Sequence, residues 1–278
     1  MSTSLSLARS LLFVPGNRPE RFEKAARSGA DAIILDLEDS VPAGDKASAR
    51  EAVAASWTQL LREGVPVVVR INAHGSAAGS DDLAAIAQLS GLGAVMVPKA
   101  DSTEALGQVR DALRGAPLLL LIETAAGFDA VKSLAAAPGV LRLVVGHIDF
   151  LADTGMTCDE QESELIPLRF AVAMATRLHG LAPAIGGVTV QTGDERRLRE
   201  DTLRARRFGF GAKLCIHPRQ IAVVHDALAP SPAELDWARR VVEADLAAEG
   251  AAVQLEGRMV DLPVVLQAKR LLAQVKQP

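Results

Sequence analysis

Short runs of Val, Ile and Leu recur along the chain on consecutive rather than alternate positions, with amphipathic or turn-rich material between them. Consecutive apolar residues suit strands buried on both faces, as in a parallel sheet, whereas a half-exposed strand alternates. Eight such runs are read as strands: residues 10–14, 32–35, 67–71, 94–97, 118–122, 141–145, a weak one near 184–188, and 212–216. Helical spacing occupies the intervals, at 19–28, 46–61, 81–88, 102–113, 130–136, 165–178 and 194–208, each bounded by Gly, Pro or a capping residue. Regular alternation of strand and helix implies right-handed crossovers and a parallel sheet. Eight repeats predict a closed (β/α)8 TIM barrel of the α/β class rather than an open doubly wound sheet.

The chain does not stop with the eighth strand. It continues through 220–228, a Pro-flanked segment 230–232, a helix-like stretch 233–248 and a tail 254–277. A barrel does not need this material, so the expected organisation is a barrel over 1–228 and a C-terminal helical segment over 229–278. That segment reads as a lid over the mouth or an arm for oligomerisation.

Composition narrows the function classes. With 278 residues, 49% hydrophobic and 23% charged, the chain has the balance of a globular enzyme. Thirty basic against 34 acidic side chains give a net charge of −4, which supplies no positive field for a nucleic-acid backbone. Cys158 and Cys215 lie far apart with no CxxC spacing, which indicates neither a disulfide framework nor a zinc ribbon and fits a reducing cytoplasm. No basic start followed by an apolar stretch opens the chain, and no run approaches the roughly 18 apolar residues of a membrane span, so secretion and membrane insertion are not expected.

In a barrel the working residues stand at the carboxyl ends of the strands. Here those ends carry Pro15-Gly16-Asn17-Arg18, Asp36-Leu37-Glu38-Asp39-Ser40, Arg70-Ile71-Asn72, Pro98-Lys99, Glu123-Thr124, Gly146-His147-Ile148-Asp149 and His217-Pro218. Glu123 and Asp149 follow adjacent, strongly apolar strands, so their carboxylates can converge on a hard cation such as Mg2+, or on acid–base work. A single strand-end acid also serves as a helix cap or salt-bridge partner. Asp36, Glu38 and Asp39 can orient metal-bound waters as outer acceptors, or cap the next helix and pair with lysines. Arg70 ends a run of valines, where a guanidinium needs an anion: a substrate carboxylate held by its planar fork, an acid from 36–39, or both. Lys99 is the residue that could form a Schiff base, but nothing nearby in sequence must lower its pKa. His147 and His217 are expected to be hydrogen-bonded structural groups. No GxGxxG follows the first strand, no GxxxxGK[ST] or HExxH occurs, and Gly75-Ser76-Ala77-Ala78-Gly79 lacks the spacing of a nucleophile elbow.

Taken in order, Ser10-Leu11-Leu12-Phe13-Val14-Pro15-Gly16-Asn17-Arg18-Pro19-Glu20-Arg21, Asp36-Leu37-Glu38-Asp39-Ser40-Val41, Val69-Arg70-Ile71-Asn72, Ile122-Glu123-Thr124, Lys213-Leu214-Cys215-Ile216-His217-Pro218 and Met259-Val260-Asp261-Leu262-Pro263 resemble the citrate lyase beta-subunit-like family of malyl-CoA, citramalyl-CoA and citryl-CoA lyases. The resemblance covers nearly the whole chain. It implies a Mg2+-dependent carbon–carbon lyase on a (β/α)8 barrel, acting on a 3-hydroxy-acyl-CoA or its acyl-carrier-protein equivalent to give acetyl-CoA and a 2-oxo acid. By the same resemblance, Glu123 and Asp149 are the metal ligands and Arg70 binds the substrate carboxylate. Asp261 is the catalytic proton-transfer residue on a lid that closes over a neighbouring subunit's mouth in a trimer or hexamer. Arg18 and Lys24 fall where the family meets CoA phosphates. Two departures bear on the substrate: His147 and Phe150 around the second ligand suggest a different acyl pocket, and Ile185-Gly186-Gly187-Val188 stands where relatives often place an aspartate. A thioesterase using the same machinery, a non-catalytic subunit of a lyase complex and a 2-oxo-acid aldolase are the rival readings.

Overall fold

The computed structural model describes residues 2–275. Eight strands form a closed parallel barrel in sequence order: β1 (Ser10–Pro15), β2 (Ala32–Asp36), β3 (Val67–Arg70), β4 (Ala94–Val97), β5 (Leu118–Ile122), β6 (Val140–Val145), β7 (Ile185–Gly186) and β8 (Ala212–Cys215). Each of the eight apolar runs is therefore a strand; β4 and β5 have the expected bounds and the other six differ by one or two residues at one or both ends. The weak run is the shortest strand, because Gly186 and Gly187 supply no side chain to pack.

Alternate residues of the strands fill the barrel. Leu11, Ala32, Ile34, Val68, Ala94, Met96, Leu119, Leu121, Val144, Ile185, Ala212 and Leu214 form one buried cluster, joined by Leu5 and Ala8 from the N-terminus. A register shift at Leu118/Leu119 against β6 places Arg142 opposite Leu119. Its guanidinium donates to Leu5 O at 3.0 Å, Ala8 O at 2.7 Å and Pro183 O at 2.6 Å, which ties the short helix Ser2–Leu7 to the barrel. Burial without a carboxylate partner pulls Arg142 down to about 9.

Three helices and a hairpin lie where no element was expected: the helix Ser2–Leu7, the helices Ala125–Asp129 and His147–Thr154 directly after β5 and β6, and the hairpin of β9 (Val253–Leu255) with β10 (Arg258–Val260). The chain divides into two compact units, Met1–His225 and Asp226–Pro278. In the second, helices Pro232–Ala247 and Leu262–Val275 and the hairpin enclose a small core of Ala238, Val241, Val260, Val265 and Ala268. Ser231 opens that unit with a capping box to Glu234. No helix among the described residues is long and apolar enough to cross a membrane.

Candidate active site

The ends of β2 and β3 pair Asp36 directly with Arg70. Arg70 donates from Nε to Asp36 Oδ1 and from Nη2 to Asp36 Oδ2, both at 2.7 Å, and its guanidinium lies 4.9 Å over the Phe13 ring. Asp36 also accepts from the backbone N–H of Glu38 at 2.9 Å and of Ser40 at 3.3 Å. Burial would raise its carboxyl, but Arg70 and these N–H groups hold it below the usual range. One edge of the Arg70 fork is thus spent on Asp36. The outer edge, formed by Nη1 and the second N–H of Nη2, faces Glu38, with Nη1 2.8 Å from Glu38 Oε2, so another anion there has to share Nη1 with Glu38 or displace it. Arg70 is the buried ion pair that the sequence allowed, and the outer edge leaves the substrate role open.

Glu38, Lys99 and Glu123 form a chain across the next strand ends. Lys99 Nζ donates to Glu38 Oε1 at 2.6 Å, and its backbone N–H donates to Glu123 Oε1 at 2.8 Å. To do both, Lys99 adopts φ 49°, a left-handed conformation uncommon for a side-chain-bearing residue. Burial would lower its ammonium, but Glu38 raises it above the ordinary value, the opposite of what a Schiff-base lysine needs.

Glu123 Oε2 and Glu38 Oε2 are both buried without a hydrogen-bond donor. Arg70 Nη1 lies 2.8 Å from Glu38 Oε2, an ion-pair distance without hydrogen-bond alignment. Burial, then the charges of Glu38 and Asp149, push Glu123 up to about 7. A Cβ on Gly146 would fall 2.5 Å from Glu123 Oε2, so only glycine leaves that oxygen its place. Asp149 follows the end of β6, as its position in sequence indicated. It lies in the first turn of the helix His147–Thr154, where the N–H dipoles favour an acid. Mutually repelling acids with orphaned oxygens are what a cation would relieve. Among the described residues no group of three or more His, Cys, Asp or Glu has metal-ligand placement. That donor set suits Mg2+, which takes one or two carboxylates and fills its shell with water and substrate oxygens, rather than a closed zinc-type site.

Of the three acids expected to accept from metal-bound waters, Glu38 keeps one oxygen without an aligned donor, Oε2, which lies 2.8 Å from Arg70 Nη1. Asp36 serves Arg70, and Asp39 is largely exposed, 3.9 Å from Arg70 Nη1. Lys46 Nζ braces their loop through Leu37 O at 2.7 Å and Glu38 O at 2.8 Å. Asn72 is not available to substrate: its amide donates to Leu37 O and Asp82 Oδ2, both at 2.7 Å. Thr124 caps the helix Ala125–Asp129, and Asp153 accepts from Ala125 N at 2.8 Å. Arg18 and Lys24 are exposed beyond the end of β1, with Arg18 bound to Glu20 at 2.7 Å.

His217 is hydrogen-bonded as expected, accepting at Nδ1 from Arg219 N at 3.1 Å. His147 is not: its buried ring makes no hydrogen bond among the described residues and fits against Gly187. Phe150 is buried edge-to-face against Phe128, with centroids 6.1 Å apart. Both side chains are buried on the helix that carries Asp149. In the second unit Asp261 precedes the helix Leu262–Val275, its Oδ1 3.4 Å from Val264 N, and Met259 and Leu262 beside it are 71% and 68% exposed. The sequence offers Lys99 only as a possible Schiff-base residue and gives no role to Gly146 or Gln220. Gln220, fully buried, accepts from Ile216 N at 2.8 Å and donates to Thr189 O at 2.9 Å, joining the loops after β7 and β8.

A sequence model of the family described as HpcH/HpaI aldolase/citrate lyase matches residues 9–218. A citrate lyase subunit beta-like protein of Deinococcus radiodurans is 36% identical over 98% of this chain and 99% of its own length. A (3S)-malyl-CoA thioesterase of Cereibacter sphaeroides is 32% identical over 96% and 94%. The crystal structure of CitE from Mycobacterium tuberculosis, in complex with magnesium, acetoacetate and coenzyme A, aligns with a TM-score of 0.85 at 34% identity, covering 98% of this chain and 100% of that one.

Proposed function

Because the chain belongs to the HpcH/HpaI aldolase/citrate lyase family, we propose that it is a Mg2+-dependent carbon–carbon lyase that cleaves a 3-hydroxy-acyl-CoA to acetyl-CoA and a 2-oxo acid, and runs the reverse condensation. The observation that carries this reading is Glu123: a buried strand-end carboxylate with one oxygen fixed by Lys99 N–H and the other unpaired beside Glu38 and Asp149.

Glu123 and Asp149 hold the ion. Bound there, Mg2+ supplies Lewis acidity that lowers the pKa of the substrate hydroxyl and polarises the 2-oxo acid carbonyl. The outer edge of Arg70 orients the substrate carboxylate, and Asp36 keeps the guanidinium from swinging. As the hydroxyl gives up its proton to solvent, its oxygen becomes the 2-oxo carbonyl, the carbon–carbon bond breaks, and the bonding electron pair passes to the carbon next to the thioester, as an enolate. The Asp261 carboxyl delivers a proton to that carbon and removes it in the condensation direction. Arg18 and Lys24 meet the CoA phosphates. The C-terminal unit acts as a lid in a homotrimer or hexamer, with exposed Met259 and Leu262 giving it an apolar edge to dock on a neighbouring copy. The thiols of Cys158 and Cys215 are free, in keeping with a cytoplasmic enzyme.

The relative named as a malyl-CoA thioesterase supports a second reading, in which water attacks the thioester. One experiment separates the two. Acetyl-CoA is incubated with glyoxylate, pyruvate or oxaloacetate and Mg2+, and the products are resolved by mass spectrometry. A lyase forms malyl-, citramalyl- or citryl-CoA and, offered that thioester, cleaves it to acetyl-CoA and the 2-oxo acid; a thioesterase forms none of it from acetyl-CoA and, offered the same thioester, gives the free hydroxy acid and CoA. No condensation or cleavage with any of the three would overturn the lyase reading.

A further inference from the structure

A second cluster of charge is buried away from the barrel mouth, on the helix side of β7 and β8. Lys213 lies between Ala212 and Leu214, which point into the barrel core, so its side chain leaves the opposite face of β8, where it is 3% exposed. Its ammonium has three donors, yet makes one hydrogen bond, from Nζ to Gly187 O at 2.7 Å. Beside it is a cavity of about 20 Å³, walled by His147, Glu162, Arg169 and Asp201 as well as Lys213. Two glycines keep it open. A Cβ on Gly187 would fall 2.3 Å from His147 Nδ1, and Gly186, the register partner of Lys213, sets no side chain against the ammonium.

The carboxylates of the cluster are already engaged. Glu162 pairs with Arg169, and with Arg197 and Arg204 at 3.1 Å each. Asp201 takes Arg197 at 3.0 Å, Arg204 at 2.9 Å and the Thr189 hydroxyl at 2.8 Å. Four cations therefore share two anions, and the innermost cation, Lys213, is paired with neither carboxylate. The His147 ring, also buried at the cavity wall, offers an N–H with no acceptor among the described residues.

We propose that this cavity is a binding site for one small monovalent anion of halide size, held by the Lys213 ammonium with Arg169 and the His147 ring as further donors. A volume of this size takes one water or one monatomic ion; Arg197 and Arg204, from outside the cavity wall, pair with both wall carboxylates, which leaves the Lys213 charge uncompensated and favours the anion. Burial pulls Lys213 down to about 8, and an anion at hydrogen-bond distance opposes that pull. The ion would tie β7 and β8 to the helix that begins at His147, so its binding is read out as stability, independently of the reaction proposed above.

The test uses the full chain and bromide as the probe. Crystals soaked in sodium bromide and measured at the bromine edge should show an anomalous peak within hydrogen-bond distance of Lys213 Nζ. A water there without anomalous signal, or bromide only on the surface, overturns the proposal. In solution, replacing sodium gluconate by sodium chloride at equal ionic strength should raise Tm by about 3 °C. Gly186→Asp builds a carboxylate beside Lys213, its Cβ 3.2 Å from that of Ala205, and should abolish the chloride response. An equal response in both proteins, or none in the wild type, overturns the site; should Gly186→Asp not fold, the bromide map decides.

Discussion

Glu123→Gln should stabilise the metal-free protein at neutral and alkaline pH, although it removes a proposed metal ligand. Burial, then Glu38 and Asp149, push the Glu123 carboxyl up to about 7, against about 4.3 for a glutamate in an unfolded chain. Between those values the folded state keeps a proton that the unfolded chain has released. The group's contribution to stability is therefore full below about pH 4.3 and is lost as pH rises through about 7. The loss amounts to about 3 kcal/mol at pH 8. Glutamine has the same shape and keeps an acceptor for Lys99 N–H, but carries no charge to lose. Urea unfolding of both proteins in EDTA, at intervals from pH 5 to pH 8, measures the difference. The advantage of the variant over wild type should grow by about 2–3 kcal/mol across that range. Excess Mg2+ should reverse the order at pH 8, since the ion binds the ionised folded state. Parallel pH profiles in EDTA would refute the reasoning, because they would mean that the Glu123 charge is not strained by its surroundings.

Arg70→Lys should lower kcat/KM about 100-fold or more, because an ammonium cannot make the two parallel bonds to Asp36 and still present an outer edge to substrate; near-normal steady-state kinetics would leave Arg70 a structural residue. Gly146→Ala brings a methyl onto Glu123 Oε2 and should weaken Mg2+ binding by about 10-fold or more in calorimetric titration. Unchanged affinity would remove Glu123 from the ligand set. Asp261→Asn keeps an oxygen near Val264 N but cannot exchange a proton. It should abolish solvent-deuterium exchange into the acetyl-CoA methyl group in the presence of a 2-oxo acid analogue, and wild-type exchange would reduce Asp261 to a helix cap.

Strands buried on both faces are apolar at most positions, so all but the short β7 stand out locally without knowledge of their neighbours. The elements that escaped notice lack such a signature. Ser2–Leu7 and His147–Thr154 are short, and the strands β9 and β10 have three residues each. Their existence depends on contacts made elsewhere: Arg142 holds the first to the barrel, and Gly187 makes room for His147 at the start of the second. The buried charge around Lys213 was equally hidden, since its members come from positions 147, 162, 169, 201 and 213 on five separate elements or loops.

The order of residue types along the chain thus determined the barrel, the family and the acids and arginine at the strand ends, because each is written in consecutive positions. Only the closed barrel decided how those groups divide their bonds. Register sets Asp36 against Arg70, the left-handed turn at Lys99 gives Glu123 its one donor, and the missing side chain at Gly146 leaves the other oxygen open. Hydrogen-bond capacity is finite and directional. A carboxylate's role is therefore fixed by which donors lie within about 3 Å of it, and that distance exists only after chain segments far apart in sequence have packed together.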